Sequence, residues 1–535
     1  MSHPRGARAG LGLALCLVLG LGALLGPPSV SAVPEPTSVN SARADSVRLS
    51  VMSLNIFYGG DDYDLSTGDW CPVTDGCPEG LRKLARIIRE SGADVVGLQE
   101  AERNTVALAR LLGWHADPRA QVISRFPLLR PAGGQGLYTL VERLPGRVVA
   151  VANTHLPSTP YGPYWVQRGV TRKRVLALER RLREAALTHV ARVLPRLAAR
   201  GIPVFLTGDF NSPSHLDWTQ AVADARADVP YPVAWPASER LAQAGFVDSY
   251  RAVHPDPVAD PGYTWTPGGP QSRDDDVFDR IDWVLAAGPA TTLSSQLVGE
   301  TGNPQVDVAI PGRFPTDHRG VVSSFEVTPA EAPPAVSPQE RRVLVGEGSR
   351  LRVRFHADGR SDEVVAIVPR TGAGAPLLAT ASTGGRTSGG VTLQTERLTP
   401  GRYDVVLRDT ANGRTLARSP IWVYARGTAA RMTTDASTYR PGDDVTVAWD
   451  GAPGMHLDWV GLYRCRRTCD PAGNYLAYRY TRTRIQGSLT LSDVVEPGEG
   501  APPWPLPPGR YVARLLVDDS YVVVAQTPRF RVLAP

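Results

Sequence analysis

Between residues 47 and 327 the apolar positions fall into short strand-like runs separated by helical stretches. Arg48–Ile56 reads as extended, and Leu81, Leu84, Ala85 and Ile88 line one helical face behind a Pro78-Glu79 start. Asp94–Gln99 and Val148–Thr154 predict short buried strands, Val175–Leu194 the longest helix, and Gly201–Thr207 a returning strand. That order predicts a domain of layered sheets and helices over 47–327. A Pro-containing linker is expected at 328–338, around Ala-Pro-Pro-Ala.

Beyond it the pattern changes to period two, broken by Gly and Pro turns, which predicts an all-β region. This region repeats itself. Leu398-Thr-Pro-Gly-Arg-Tyr-Asp-Val-Val-Leu407 recurs as Leu506-Pro-Pro-Gly-Arg-Tyr-Val-Ala-Arg-Leu515, and Glu363–Val368 matches Asp458–Tyr463. Two β-sandwich modules are expected, at 339–426 and 429–535, each large enough for a core of its own.

The N-terminus is of another kind. Arg5 and Arg8 precede an apolar run from Leu11 to Gly26 and a small-residue stretch ending at Ala32. This is the order of a secretory signal peptide, expected at 1–32 and followed by a Pro/Ser/Ala-rich tether at 33–46. Sixteen apolar residues fall short of the roughly 20 that a spanning helix needs. Cys16 lacks the small residue before it that a lipoprotein cleavage site wants.

Composition adds limits rather than chemistry. The formal charge of +5 falls to about +3 without the signal, too mild for a nucleic-acid coat protein. Only Lys83 and Lys173 among the basic residues are lysines, a skew that fits a GC-rich genome better than a set of phosphate contacts. The four cysteines left after export form two close pairs. In an oxidising compartment they predict disulfides Cys71–Cys77 and Cys465–Cys469, and neither pair has the two-residue spacing of a zinc knuckle.

Five motifs in the first domain place polar residues at the ends of apolar strands. They are Ser53-Leu-Asn55, Gly97-Leu-Gln-Glu100, Asn153-Thr-His155, Thr207-Gly-Asp209-Phe-Asn211, and Arg280-Ile-Asp282 with Thr316-Asp317-His318. Each has a structural explanation alone: an Asn caps a turn, a Gly-Asp begins one, a Glu is solvated. In this order and spacing they resemble the endonuclease/exonuclease/phosphatase superfamily, the deoxyribonuclease I-like fold, over about 48–327.

The resemblance implies a four-layer α/β sandwich and divalent-metal-dependent hydrolysis of phosphoesters by in-line attack of an activated water, with Mg²⁺ (or Mn²⁺) as the ion. It implies Glu100, Asn55 and Asp317 as metal ligands, a donor set suited to an ion that takes oxygen ligands. Asp209 would activate the water and Asn211 would fix that carboxylate or the phosphate. His155 and His318 would hydrogen-bond the phosphoryl oxygens, with Asp282 accepting from His318. Nucleases of the superfamily support the first histidine with a Glu, for which this chain offers only Glu142. Superfamily members cut DNA, RNA, sphingolipids and inositol phosphates, and fold does not choose among them.

Tyr161, Trp165 and Trp265 are candidates for the substrate pocket, as is the segment after Asn211, Ser212–Trp218. The basic run Arg168, Arg172, Lys173 and Arg174 reads as a solvated helix face, with a nucleic-acid track as the alternative. The acidic loops Asp61-Asp62-Tyr-Asp64 and Asp274-Asp275-Asp276 lack the ligand spacing of an EF-hand. Trp459, Tyr475, Tyr478 and Trp504 are candidates for binding a surface polymer, and the sandwiches show no catalytic cluster.

The expectation is a secreted, monomeric phosphodiesterase or phosphatase. The alternatives are a nuclease acting on DNA or RNA, a sphingomyelinase-like phospholipase and, least favoured, a non-catalytic binding protein.

Overall fold

The strand patterns become two sheets that share one apolar layer. The computed structural model describes residues 46–65, 67–71, 77–131, 136–265, 277–370, 375–491, 496–497 and 504–534. The export signal, nearly all of the tether and the Asp274-Asp275-Asp276 loop lie outside them. No helix among the described residues is long and apolar enough to cross a membrane.

In the first sheet β1 (Val47–Asn55) lies parallel to β2 (Val95–Gln99). In the second, β3 (Arg147–His155) runs parallel to β4 (Val204–Asp209), which pairs antiparallel with β5 (Asp282–Ala287). The last strand of the domain, β6 (Gly320–Val327), returns to the first sheet and pairs antiparallel with β1.

Strand alternation sorts the apolar side chains. Leu49, Val51 and Val95 of the first sheet meet Val149, Val151, Phe205 and Val284 of the second between the sheets. The alternate positions Met52, Leu54, Val96 and Leu98 pack outward against Leu84 and Ile88 of α1 (Pro78–Glu90). On the far face of the second sheet, Val204 and Leu206 meet Val190 and Leu194.

The longest predicted helix is interrupted. It divides into α2 (Arg172–Glu179), a π-helical turn at Arg180–Glu184, and α3 (Thr188–Ala198). The reason lies in Arg183, which is fully buried, pairs with Glu179, and donates to the carbonyls of Ser158 at 2.9 Å and Pro160 at 3.0 Å. The helix widens where a cation must reach sideways to hold a loop. The expected basic face is exposed at Arg168, Arg172, Lys173 and Arg174.

The segment expected as a linker is itself stranded. Ala330–Glu331 pairs with Val148 and Arg147 of β3, and Ala335–Pro338 forms an edge strand of the next sheet against Val353–His356. Pro333 and Pro334 lie between these two strands, and Pro338 sits at an edge, where proline is tolerated.

The C-terminal region forms two pairs of sheets. In the first pair Val353 and Phe355 pack on Val405 and Leu407; in the second Val447 and Trp449 pack on Val460, Leu462 and Leu515. The repeated Pro-Gly-Arg-Tyr motif has a structural job in both. Tyr403 donates its hydroxyl to the Thr399 carbonyl at 2.9 Å, and Tyr511 donates to the Pro507 carbonyl at 2.6 Å. Each bond ties the start of a central strand back to the chain four residues upstream, a corner typical of sandwich folds.

Both predicted disulfides are present, Cys71–Cys77 and Cys465–Cys469. They leave no four-thiolate zinc site.

Candidate active site

Strand register brings the motifs together. Asn55 stands opposite Gln99, and Asp209 stands opposite His155 on one side and Asp282 on the other. Behind them a polar layer ties the two sheets. Gln99 Nε2 donates to Asn153 Oδ1 at 2.6 Å, Thr207 Oγ1 donates to the same oxygen at 3.0 Å, and the Gly208 amide donates to Ser53 Oγ at 3.0 Å. Gly97 makes this approach feasible, because a Cβ there would lie 1.8 Å from Thr207 Oγ1. The residues flanking the polar strand ends therefore fix the spacing on which the site depends.

Asp209 is the centre of the site and is almost wholly buried. Its Oδ1 accepts from the Asn211 amide at 2.9 Å and its Oδ2 from Asn55 Nδ2 at 3.1 Å. The Nε2 atoms of His155 and His318 lie 3.6 and 3.7 Å from the same Oδ2. Burial, then the Asp282 charge, push the Asp209 carboxyl above its usual range, opposed by the two histidines. Asn211 sits at φ 48° and spends its side-chain amide on the Leu156 carbonyl at 3.1 Å, so it fixes both the carboxylate and the chain after His155.

Each histidine presents Nε2 to the site and Nδ1 to a carboxylate. His318 Nδ1 donates to Asp282 Oδ2 at 2.8 Å. Burial works against its charge, but Asp282, Asp317 and Asp209 outweigh it and hold the imidazole well above its usual pKa. His155 Nδ1 donates to Asp519 Oδ2 at 3.1 Å, across 364 positions of sequence. Burial lowers this group as well, yet the Asp519 hydrogen bond and the charges of Asp209, Asp519 and Glu100 raise it to about 9.

Glu142, the one glutamate the sequence offers for this role, is elsewhere. It accepts from the Gly146 amide at 2.9 Å and lies 3.5 Å from Arg354. Asp519 was not legible in the sequence, because nothing local marks a carboxylate between two C-terminal strands as belonging to a histidine in another domain.

Glu100 accepts from Asn55 Nδ2 at 3.1 Å and from the Tyr58 amide at 3.0 Å. Asn55 Oδ1 accepts from the Phe57 amide at 3.0 Å, and a carbonyl oxygen keeps a second lone pair. Asp317 is raised to about 6, first by burial and then by the Glu100 charge, against the opposing His318. The Glu100 and Asp317 carboxylates, beside the Asn55 side-chain carbonyl, form an all-oxygen set that suits a hard divalent cation. Asp209, Asp282 and His318 also offer ligand atoms within 4.8 Å of one another and can hold an ion.

The first acidic loop is tied down. Lys83 Nζ meets Asp62 at 2.9 Å, Arg313 lies 3.5 Å from Asp64, and the Cys71 amide donates to the Asp61 carbonyl at 2.7 Å. The disulfide thus pins the loop that follows Asn55.

Of the pocket candidates, Tyr161 is buried with its hydroxyl on Asp279 at 2.7 Å, and Trp165 packs against the Val166, Val175 and Trp218 cluster. Trp218, at the end of the second candidate segment, is itself core and donates to Asp279. Trp265 bridges to His318 through the backbone and packs on Tyr161 at 5.7 Å. None of Tyr161, Trp165 and Trp265 lines the cleft beside His155. Trp459, Tyr475 and Tyr478, candidates for a surface polymer if exposed, line that cleft, and Trp504 packs into the second sandwich core.

Residues 52–318 match the Endonuclease/Exonuclease/phosphatase family. An uncharacterized protein of Caenorhabditis elegans is 28% identical over 273 residues, covering 46% of this chain and 85% of its own. Among solved structures, an AP endonuclease from Archaeoglobus fulgidus aligns at 14% identity over 51% of this chain and 98% of its own, with a TM-score of 0.29. A family protein from Bacteroides thetaiotaomicron aligns at 14% identity over 53% and 98%, with a TM-score of 0.28. With its strand-end motifs and its family match in agreement, the first domain of this chain belongs to the endonuclease/exonuclease/phosphatase superfamily.

Proposed function

We propose that the protein is a secreted, divalent-metal-dependent phosphoester hydrolase whose chemistry centres on Asp209. The observation that carries this reading is the convergence of His155 Nε2, His318 Nε2 and Asn55 Nδ2 on one carboxylate oxygen. Asp209 takes a proton from the attacking water, and its raised affinity for protons improves it as a base. The water oxygen bonds to phosphorus as the ester bond breaks on the opposite side, with no covalent intermediate.

His155 and His318 are held protonated by their carboxylate partners, so they donate to the phosphoryl oxygens as charge builds there. Asn55 orients Asp209 and Glu100 together. Glu100, Asp317 and the Asn55 carbonyl would hold the ion, which supplies charge neutralisation to the phosphoryl group. Export is supported by the N-terminal pattern and by two disulfides, which persist in oxidising compartments.

The test compares wild type with Asp209→Ala on supercoiled plasmid, RNA, sphingomyelin and a chromogenic phosphodiester, with Mg²⁺ and with chelator. Chelator-sensitive hydrolysis by the wild type alone is expected. Equal rates from both proteins would overturn the mechanism.

A further inference from the structure

The first domain carries both histidines but only one of the carboxylates that orient them. The second comes from a turn between two strands of the last sandwich, Gly509–Leu516 and Val523–Gln526. Asp518 and Asp519 both adopt left-handed backbone, at φ 50° and 63°, a conformation costly for residues other than glycine. The turn is braced from both sides. Asp518 accepts from the Arg103 amide at 3.1 Å and from Gln121 Nε2 at 3.2 Å in the first domain, while its own amide donates to Asp458 Oδ1 at 3.1 Å. Asp519 is thereby aimed out of its module. One oxygen accepts from His155 Nδ1 and the other from the Tyr480 hydroxyl at 2.8 Å.

Beside this contact the two domains enclose a cleft of about 130 Å³. Glu100 and His155 form one wall. Trp459, Tyr475, Tyr478, Tyr480 and Tyr521 form the other. Trp459, Tyr475 and Tyr478 stand edge to face, with centroids 5.2 to 5.8 Å apart, so each buttresses the next. An aromatic wall this close to a phosphoryl-handling histidine suits a flat or apolar organic group.

We infer that the second sandwich module completes the active site, with Asp519 positioning His155 and the aromatic wall receiving the organic group of a small phosphoester. This rests on the hydrolase reading above. Asp519 touches no reacting atom, and it acts by fixing the tautomer and direction of His155.

The experiment uses the full-length chain with Mg²⁺. Bis(p-nitrophenyl) phosphate and supercoiled plasmid are substrates for wild type, Asp519→Asn, Asp519→Glu, Tyr480→Phe, Tyr478→Ala and Asp209→Ala. Asp519→Asn is expected to lower kcat about tenfold or more with KM little changed, since misaimed groups forfeit rate rather than binding. Asp519→Glu should recover part of the loss, Tyr480→Phe should show a smaller one, and Tyr478→Ala should raise KM for the aromatic ester.

Nitrogen-15 histidine spectra give a readout independent of turnover: the His155 Nδ1 resonance should shift in Asp519→Asn. Wild-type kcat and an unshifted resonance in Asp519→Asn, with Asp209→Ala inactive, would overturn the module's role and spare the hydrolase reading. Full activity in Asp209→Ala, or none in the wild type, would remove the hydrolase reading itself. Faster cleavage of plasmid than of the small ester would overturn the substrate class. Should Asp519→Asn fail to fold, Tyr480→Phe and Asp519→Glu decide by the same split.

Discussion

The two histidines of the site are alike in chemistry and opposite in origin. His318 takes its carboxylate from Asp282, 36 residues away on a strand of the same domain, at 2.8 Å. His155 takes its carboxylate from Asp519, 364 residues away in the last module, at 3.1 Å. Asp282 is fixed by strand register and by the Thr264 hydroxyl, which accepts from the Ile281 and Asp282 amides. Asp519 is fixed only while two domains stay docked. The same ion pair is intrinsic to the fold in one place and conditional on an assembly in the other.

The largest effect falls at the centre of the site. Asp209→Ala removes the group both histidines face and should lower turnover by roughly a hundredfold or more, as should His318→Ala, measured at saturating substrate. A smaller loss, about tenfold to a hundredfold, is expected from Asp282→Asn, with Asp519→Asn at the lower end of that range. Mild denaturant that loosens the domains should lower the activity of wild type and leave Asp519→Asn less affected; equal sensitivity would erase the distinction drawn here. Glu100→Ala should instead raise the Mg²⁺ concentration needed for half activity by several-fold or more, and an unchanged requirement would remove Glu100 from the metal site.

Stability against pH sharpens the contrast in the metal-free protein. His155 is raised to about 9, so its contribution is fully present below the unfolded value near 6.5 and is lost as pH rises to about 9. Burial raises Asp458 to about 7, and burial with the Asp458 charge raises Asp518 to about 8, so ionising these carboxyls also penalises the folded state as pH rises from about 4. Both act in one direction. Thermal unfolding should therefore move to lower temperature between pH 6.5 and 9, and the slope should flatten in His155→Asn. The smallest effect concerns the sandwich corners. Tyr403→Phe and Tyr511→Phe should each cost about 1 kcal/mol in denaturant unfolding, with activity retained.

What was legible in the sequence follows the same division. The convergence of Asn55, Glu100, His155, Asp209, Asp282 and His318 could be read because each lies at or beside the end of an apolar strand, and strand ends carry local signals. Both disulfides were legible from spacing. Asp519 was not, because a contact between distant elements leaves no trace in the pattern around either residue. The same limit left open whether the aromatics of the last module pack inward or face a polymer. Composition shows that Trp459 and Tyr478 are present, but only docking decides what they face. The π-turn was hidden for a related reason: the helical pattern continues through Arg183, and the demand that widens the helix comes from carbonyls at Ser158 and Pro160.

The split between near and distant carboxylates also sets an order in time. Contacts that close long loops form late, since the entropy of bringing distant segments together is spent before the contact repays it. On refolding from denaturant, the sheets of the first domain and the His318–Asp282 pair should be in place before the last module docks. Phosphoester hydrolysis should then return more slowly than far-ultraviolet circular dichroism, with the lag absent in Asp519→Asn. A chain built in this way would work below its full rate while it is incomplete, because its last folding step is also the step that aims His155.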